Sequence, residues 1–502
     1  MTTRRDMPTD EPTAEVTTAQ GRVRGLRRPD GSAAFLGIPF AEPPVGDLRF
    51  AAPVPHRGWD GVRDATAHGA TPQRTQLAEV TLIPEPSIPG ESTLNVDVFT
   101  PSPEPVTDGG LPVLVWIHGG GFVAGSPASP WYDGAGFNRD GVVTVTVSYR
   151  LGFDGFGWIS DAPANRGVLD WLLALEWVRD NIRAFGGDPS RVTIAGQSAG
   201  GGAVLTLLGM PRAQGLFARV HCISGAVADV PIGRAEALGR ELAELLGVAP
   251  TRAGLATLDE ERVLAAQRTL VPIGESAADP AKGLEGLLDG LALGPVVDGD
   301  LLPEPTLDAL RRGVGADTPL VLGATDHEFT FAFARAREQL ADVAPTAVLA
   351  GTGLDPSVIE AYVAAHEDLD TADVVGQLLT DTLFSTTVAE VATARGDAPT
   401  WLYRFAWRSP VLGYAVHCLD LPFYFGCPSA PGVAEVAGTD LPPGLVDDVH
   451  GAAVAFVGGG DPGWPAWAPA GGKVRVFDRS SSLEPDGFQE VWSLLRGAAR
   501  RA

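Results

Sequence analysis

The chain has 502 residues, 45% of them hydrophobic and 20% charged, with a formal net charge of −25. A surface this acidic excludes nucleic acid and anionic membrane as expected partners, since both call for a basic face. Three cysteines, Cys222, Cys418 and Cys427, form no disulfide framework and fit a reducing, cytoplasmic setting, and no apolar run approaches the roughly 18 residues of a membrane span.

In chain order, residues 1–15 are polar and read as a frayed tail; an arginine pair lies there without the apolar stretch of a signal peptide. From residue 16 the chain reads as a single domain to its end. LPVLVWI (111–117) and VVTVTVSY (142–149) are β-branched runs bounded by turn residues, the pattern of buried parallel strands. Between Asn165 and Phe185, apolar residues recur at helical spacing until GGDPS breaks the helix. RVTIAG (191–196) is the next strand, and SAGGGAVLTLLG continues as a helix. Further strands are expected at 318–324, 400–407 and 473–478, and helices near 233–247, 355–366, 373–395, 443–457 and 485–500. Strands alternating with helices imply a mostly parallel sheet covered on both faces. Residues 226–317 read as a helical insertion between core strands, and 330–398 as further helical cap elements.

The chemistry centres on Gly196-Gln197-Ser198-Ala199-Gly200, a G-x-S-x-G motif between an apolar strand and a small-residue helix. In that context the serine sits on a sharp turn at the carboxyl edge of the sheet, where such folds bind ligands. Residues 117–125, IHGGGFVAG, directly follow an earlier strand. A glycine run lets backbone N–H groups approach the oxygen that gains charge in acyl transfer. The donors expected here are Gly120, Gly121 and Ala199. A phosphate loop is a poor alternative, because the Walker Lys-Ser/Thr and the G-x-G-x-x-G order are both missing.

A serine nucleophile needs a base. In α/β-hydrolases the order along the chain is serine, acid, histidine. Of the eight histidines, His417 lies in a loop after the strand 400–407; His450 falls in a helical run and reads as part of a solvated face, and His118 as a brace for the glycine run. The acid is expected at a strand end between Ser198 and His417, where TPLVLGATDHEFTFAF offers both Asp326 and Glu328. Periodicity does not separate the two. No Cys/His set has zinc spacing, and no metal or organic cofactor is expected.

These residues resemble the type-B carboxylesterases, the family of p-nitrobenzyl esterases and cholinesterases. The resemblance covers nearly the whole chain: FLGIPFAEPPVGDLRF (35–50), WIHGGGF, VSYRLG (147–152), NIRAFGGDPSRVTIAGQSAGG (181–201), GATDHEFTF, GYAVHCLDLPFYF and AVAFVGGGDPGWPAW (453–467) follow in family order. It implies an α/β-hydrolase fold, a Ser198–His417–Glu328 triad and hydrolysis of small-molecule carboxylic esters through an acyl-enzyme. It also places Ser224 and Gln197 beside the triad. Four positions depart from the family: Gln197 stands where glutamate is usual, Phe329 and Cys418 where glycine is, and Thr93 where many members carry a disulfide cysteine. The same machinery could cleave amides or carbamates. A non-catalytic binding role fits poorly with an intact triad. Phe122, Phe329, Phe331 and Phe425 are candidate pocket aromatics.

Overall fold

A computed structural model of the chain describes residues 12–72, 81–271, 290–469, 471–485, 487–488 and 491. The chain opens with β1 (Thr13–Thr18), β2 (Gly21–Arg27), β3 (Ala33–Pro39), β4 (Val62–Asp64) and β5 (Asn95–Thr100). The central strands are β6 (Leu111–Ile117), β7 (Val143–Val147), β8 (Gly187–Gln197) and β9 (Arg219–Ile223). After the short pair β10 (Val230–Pro231) and β11 (Val296–Val297) come β12 (Leu320–Thr325), β13 (Thr400–Phe405), β14 (Lys473–Phe477) and β15 (Ser482–Pro485).

Apart from β10 and β11, these strands form one sheet in the order β1-β2-β3-β5-β7-β6-β8-β9-β12-β13-β14-β15, with β4 beside β2. From β7 to β14 every neighbouring pair is parallel, while the outer pairs at both ends are antiparallel except β2 with β4, which is parallel. The parallel strands are covered on both faces, which is why their sequences are continuous apolar runs. On β6, Val113, Val115 and Ile117 join a core with Trp171, Leu175, Val204 and Leu208. The alternate residues Leu114 and Trp116 join a second core with Tyr424 and Phe456. Side chains of period two thus divide one strand between two cores. This is the α/β-hydrolase fold.

Several expectations need correction. Residues 13–15 belong to β1, not to a frayed tail: Ala14, Val16 and Thr18 alternate inward and the strand pairs with β2 in full register. The strand expected at 191–196 already starts at Gly187. The described part of 226–317 is not wholly helical, since it also contributes β10 and β11. The helix expected over 373–395 is divided by a π-helical turn at Asp381–Ser385, an irregularity that apolar periodicity does not reveal. Ser482–Pro485 is a strand, and most of the helix expected at 485–500 lies outside the described residues.

Candidate active site

Adjacent strands β6, β8, β9 and β12 carry candidate residues at or just beyond their carboxyl ends, and His417 lies in the loop that follows β13. After β8 the chain turns directly into the helix Ala199–Gly209, and Ser198 at the corner has φ 59° and ψ −125°. Such a backbone costs a non-glycine residue on the order of 1–3 kcal/mol. The corner is held by Ser198 N–H donating to Ile223 O at 3.0 Å and by Gly202 N–H donating to Ser198 O at 2.9 Å. The motif's glycines are required by space: a Cβ on Gly200 would lie 2.0 Å from Ile117 O, and one on Gly196 2.3 Å from Gly200 O.

The glycine loop after β6 packs against this corner. A Cβ on Gly119 would lie 3.0 Å from Ser198 Cβ. Gly120 and Gly121 have φ 108° and 60°, and Val123 and Ala124 N–H both fold back onto Gly120 O. Ala199 opens its helix, where the first N–H groups have no intrahelical partner. Among the described residues, no acceptor takes the N–H of Gly120, Gly121 or Ala199. The structure therefore leaves uncommitted the N–H groups of two loop glycines that follow Gly119 and of the residue after Ser198. His118 stacks on Tyr149 at 4.6 Å and its Nδ1–H donates to Gly119 O; burial pushes its pKa down to about 4, so it is a neutral ring bracing the loop.

His417 and Glu328 meet twice. His417 Nδ1 bonds Glu328 Oε2, and His417 N–H donates to Glu328 O at 3.0 Å. Glu328 is fully buried, and its second oxygen accepts from Thr325 N–H at 2.7 Å. Asp326, two residues earlier, turns the other way and accepts from Arg404 through both oxygens at 2.9 and 2.8 Å. Because Nδ1–H donates to the carboxylate, Nε2 of neutral His417 is an acceptor, and Gln197 Nε2 lies 2.9 Å from it. Ser224 follows β9 with φ 44°, buried, its hydroxyl without a partner among the described residues.

The model of the carboxylesterase family matches residues 12–475. The chain belongs to that family. This carboxylesterase is 34% identical to the para-nitrobenzyl esterase of Bacillus subtilis (strain 168), over 95% of its own length and 97% of that protein's. It is 33% identical to a phenmedipham hydrolase of Pseudarthrobacter oxydans, over 86% and 87%. Among solved structures, a Geobacillus stearothermophilus carboxylesterase matches with a TM-score of 0.82 at 33% identity, covering 95% of this chain and 99% of that one. A PNB esterase matches with a TM-score of 0.81 at 31% identity, covering 95% and 98%. The carboxylesterase is accordingly a carboxylic ester hydrolase.

Its aromatic candidates separate. Phe329 is half-buried and stacks on His417 at 4.9 Å, with Phe331 6.4 Å from it. Phe122 and Phe425 are core residues, on Phe156 and Trp171 and on Trp116 and Phe137 respectively. Sequence periodicity gave no sign of Phe384, which the π-helical turn sets 5.0 Å from His417. His450 is buried rather than solvated: its Nδ1 meets Tyr424 O at 2.7 Å and its Nε2 Asp140 at 3.0 Å. The helix carrying it, Pro443–Val457, covers the second core, so its inward face had to accommodate a hydrogen-bonded imidazole. Cys418 is buried, and burial pushes its thiol well up, which keeps it protonated and unreactive.

Proposed function

We propose that Ser198, His417 and Glu328 are the catalytic triad of this carboxylesterase. The observation that carries the reading is the hydrogen-bonded His417–Glu328 pair beside a serine held at a positive-φ strand-to-helix corner. The Gln197 amide, 2.9 Å from His417 Nε2, must withdraw so that Nε2 can take the Ser198 proton as the oxygen attacks the ester carbonyl; Glu328 orients the ring and offsets the imidazolium charge. The N–H groups of Gly120, Gly121 and Ala199 receive the oxyanion. His417 returns the proton to the leaving alcohol, then deprotonates the water that cleaves the acyl-enzyme. Ser224 and Gln197 adjoin these groups. The substrate is a small-molecule ester. Neither nucleic acid nor an anionic membrane suits a chain of net charge −25. No described helix is long and apolar enough to cross a membrane, and the three free cysteines fit the cytoplasm. We read residues 16–502 as a single domain, extended by β1 to residue 13. A fluorophosphonate probe tests the assignment: labelling mapped to Ser198 is expected, and labelling elsewhere or none overturns it.

Gln197 makes a second, electrostatic expectation. Its amide N–H donates to neutral His417 Nε2, whereas a glutamate there would place a carboxylate oxygen against the same atom. A carboxylate favours the imidazolium, and that form cannot act as base. In Gln197→Glu the acid limb of kcat/KM should move to higher pH. A limb that stays put or moves down in a pH–rate series contradicts this account.

A further inference from the structure

Behind the His417 loop lies a small cavity of about 20 Å³, lined in part by His221, Tyr403, Asp420, Tyr424 and Trp464. All five side chains are more than nine-tenths buried. Four of their polar atoms have no partner among the described residues: His221 Nδ1, Asp420 Oδ1, Tyr424 Oη and Trp464 Nε1. Tyr403 Oη donates to Asp420 Oδ2 at 3.3 Å, long for a bond between oxygens. A buried carboxyl bonded so sparsely is costly. Buried polar groups in proteins are almost always satisfied, by water where protein atoms are missing.

The four unpartnered atoms divide by chemistry. Tyr424 O–H and Trp464 N–H are donors; Asp420 Oδ1 and an unprotonated His221 Nδ1 are acceptors. One water accepts two bonds and donates two, and the cavity has room for about one. Burial pushes His221 down to about 3, so the ring stays neutral. Asp420 is three residues beyond His417, at the mouth of the short helix Leu421–Tyr424. The intervening Cys418 holds φ 69°, a backbone that persists only where the surroundings hold it. We propose that this cavity is a water site, that its water bridges Asp420 to His221, Tyr424 and Trp464, and that Asp420 is thereby a positioning residue for His417. The positioning role rests on the triad assignment; the water site does not.

Three measurements on the full chain test this. In a crystal structure, one solvent peak should lie within hydrogen-bond distance of Asp420 Oδ1 and His221 Nδ1. A dry cavity, or side chains that close it by bonding one another, overturns the site. In kinetics, Asp420→Asn preserves shape and hydrogen bonding and should keep kcat within about threefold. Asp420→Leu should lower kcat by on the order of tenfold or more with little change in KM, the scale of a displaced catalytic group. Equal kcat in the two variants overturns the positioning role. The third measurement is thermal melting against pH, which needs only the Asn variant and so stands even if Asp420→Leu fails to fold. Burial, and next the Glu328 charge, push Asp420 up to about 7, against the nearby His417, which lowers it. Tyr403, His221, Tyr424 and the Cys418 thiol, the other titratable groups around it, are uncharged at neutral pH. A carboxyl raised above its unfolded value stabilises the fold fully at low pH, and that contribution is lost as pH rises toward about 7. Asp420→Asn should therefore gain in melting temperature relative to wild type between about pH 4 and about pH 7. A constant difference overturns the description of Asp420. If Ser198→Ala retained turnover, the triad would fall while the solvent peak and the melting series stood.

Discussion

Ser198→Ala is expected to lose ester turnover by several orders of magnitude, the scale seen when a triad nucleophile is removed. Only the hydroxyl is deleted. Alanine carries the same Cβ at the same φ of 59°, so the backbone strain is unchanged. The backbone bonds from Ser198 N–H to Ile223 O and from Gly202 N–H to Ser198 O also remain. Melting temperature should therefore hardly move. The three uncommitted N–H donors survive too, and leave residual catalysis above the rate in water, as oxyanion sites do without their nucleophile. Kinetics and melting on the purified variant check both halves. Turnover near the wild-type level would remove Ser198 from the mechanism.

Glu328→Gln should be nearly as damaging, and Asp326→Asn should not. Glu328 is buried, one oxygen on His417 Nδ1 and the other on Thr325 N–H. The amide keeps that shape but can present its N–H to the ring, which reverses the tautomer and leaves the imidazolium without a counter-charge. In a serine protease, the corresponding acid-to-amide change costs about 10⁴ in kcat. Asp326 meets Arg404 instead, and removing its charge weakens an ion pair that does not touch His417. The comparison is kcat/KM for both variants at equal folded fraction. The reverse order would assign the acid to Asp326.

The two carboxylates also show how far the sequence could be read. Both stand at the end of an apolar strand, and nothing in their spacing says which faces His417. The likeness to the carboxylesterases selected Glu328, and the turn after β12 gives the physical reason: it points residue 328 inward and leaves 326 beside Arg404. The central strands and the serine corner were legible because their signals are local, an apolar run and a turn that only glycine can flank. The edges were less so. β1 is six residues with only every second one buried, a pattern polar neighbours conceal. The placement of Phe384 depends on a π-helical turn, and the cavity at Asp420 joins residues from six separate segments. Neither leaves a periodic trace. Phe425 was misjudged for a related reason: an aromatic next to an active-site loop looks the same in sequence whether it faces substrate or core.

Among the described residues, five non-glycine positions hold positive φ: Phe50, Phe122, Ser198, Ser224 and Cys418. Four of these belong to the glycine loop, the serine corner, the end of β9 and the histidine loop. The molecule thus keeps most of its least favourable backbone in its reactive quarter, beside the central parallel strands. Backbone of this kind costs on the order of 1–3 kcal/mol per residue and persists only where the surroundings over-determine it. Stabilising mutations are consequently best sought in the distant helices, away from those four residues.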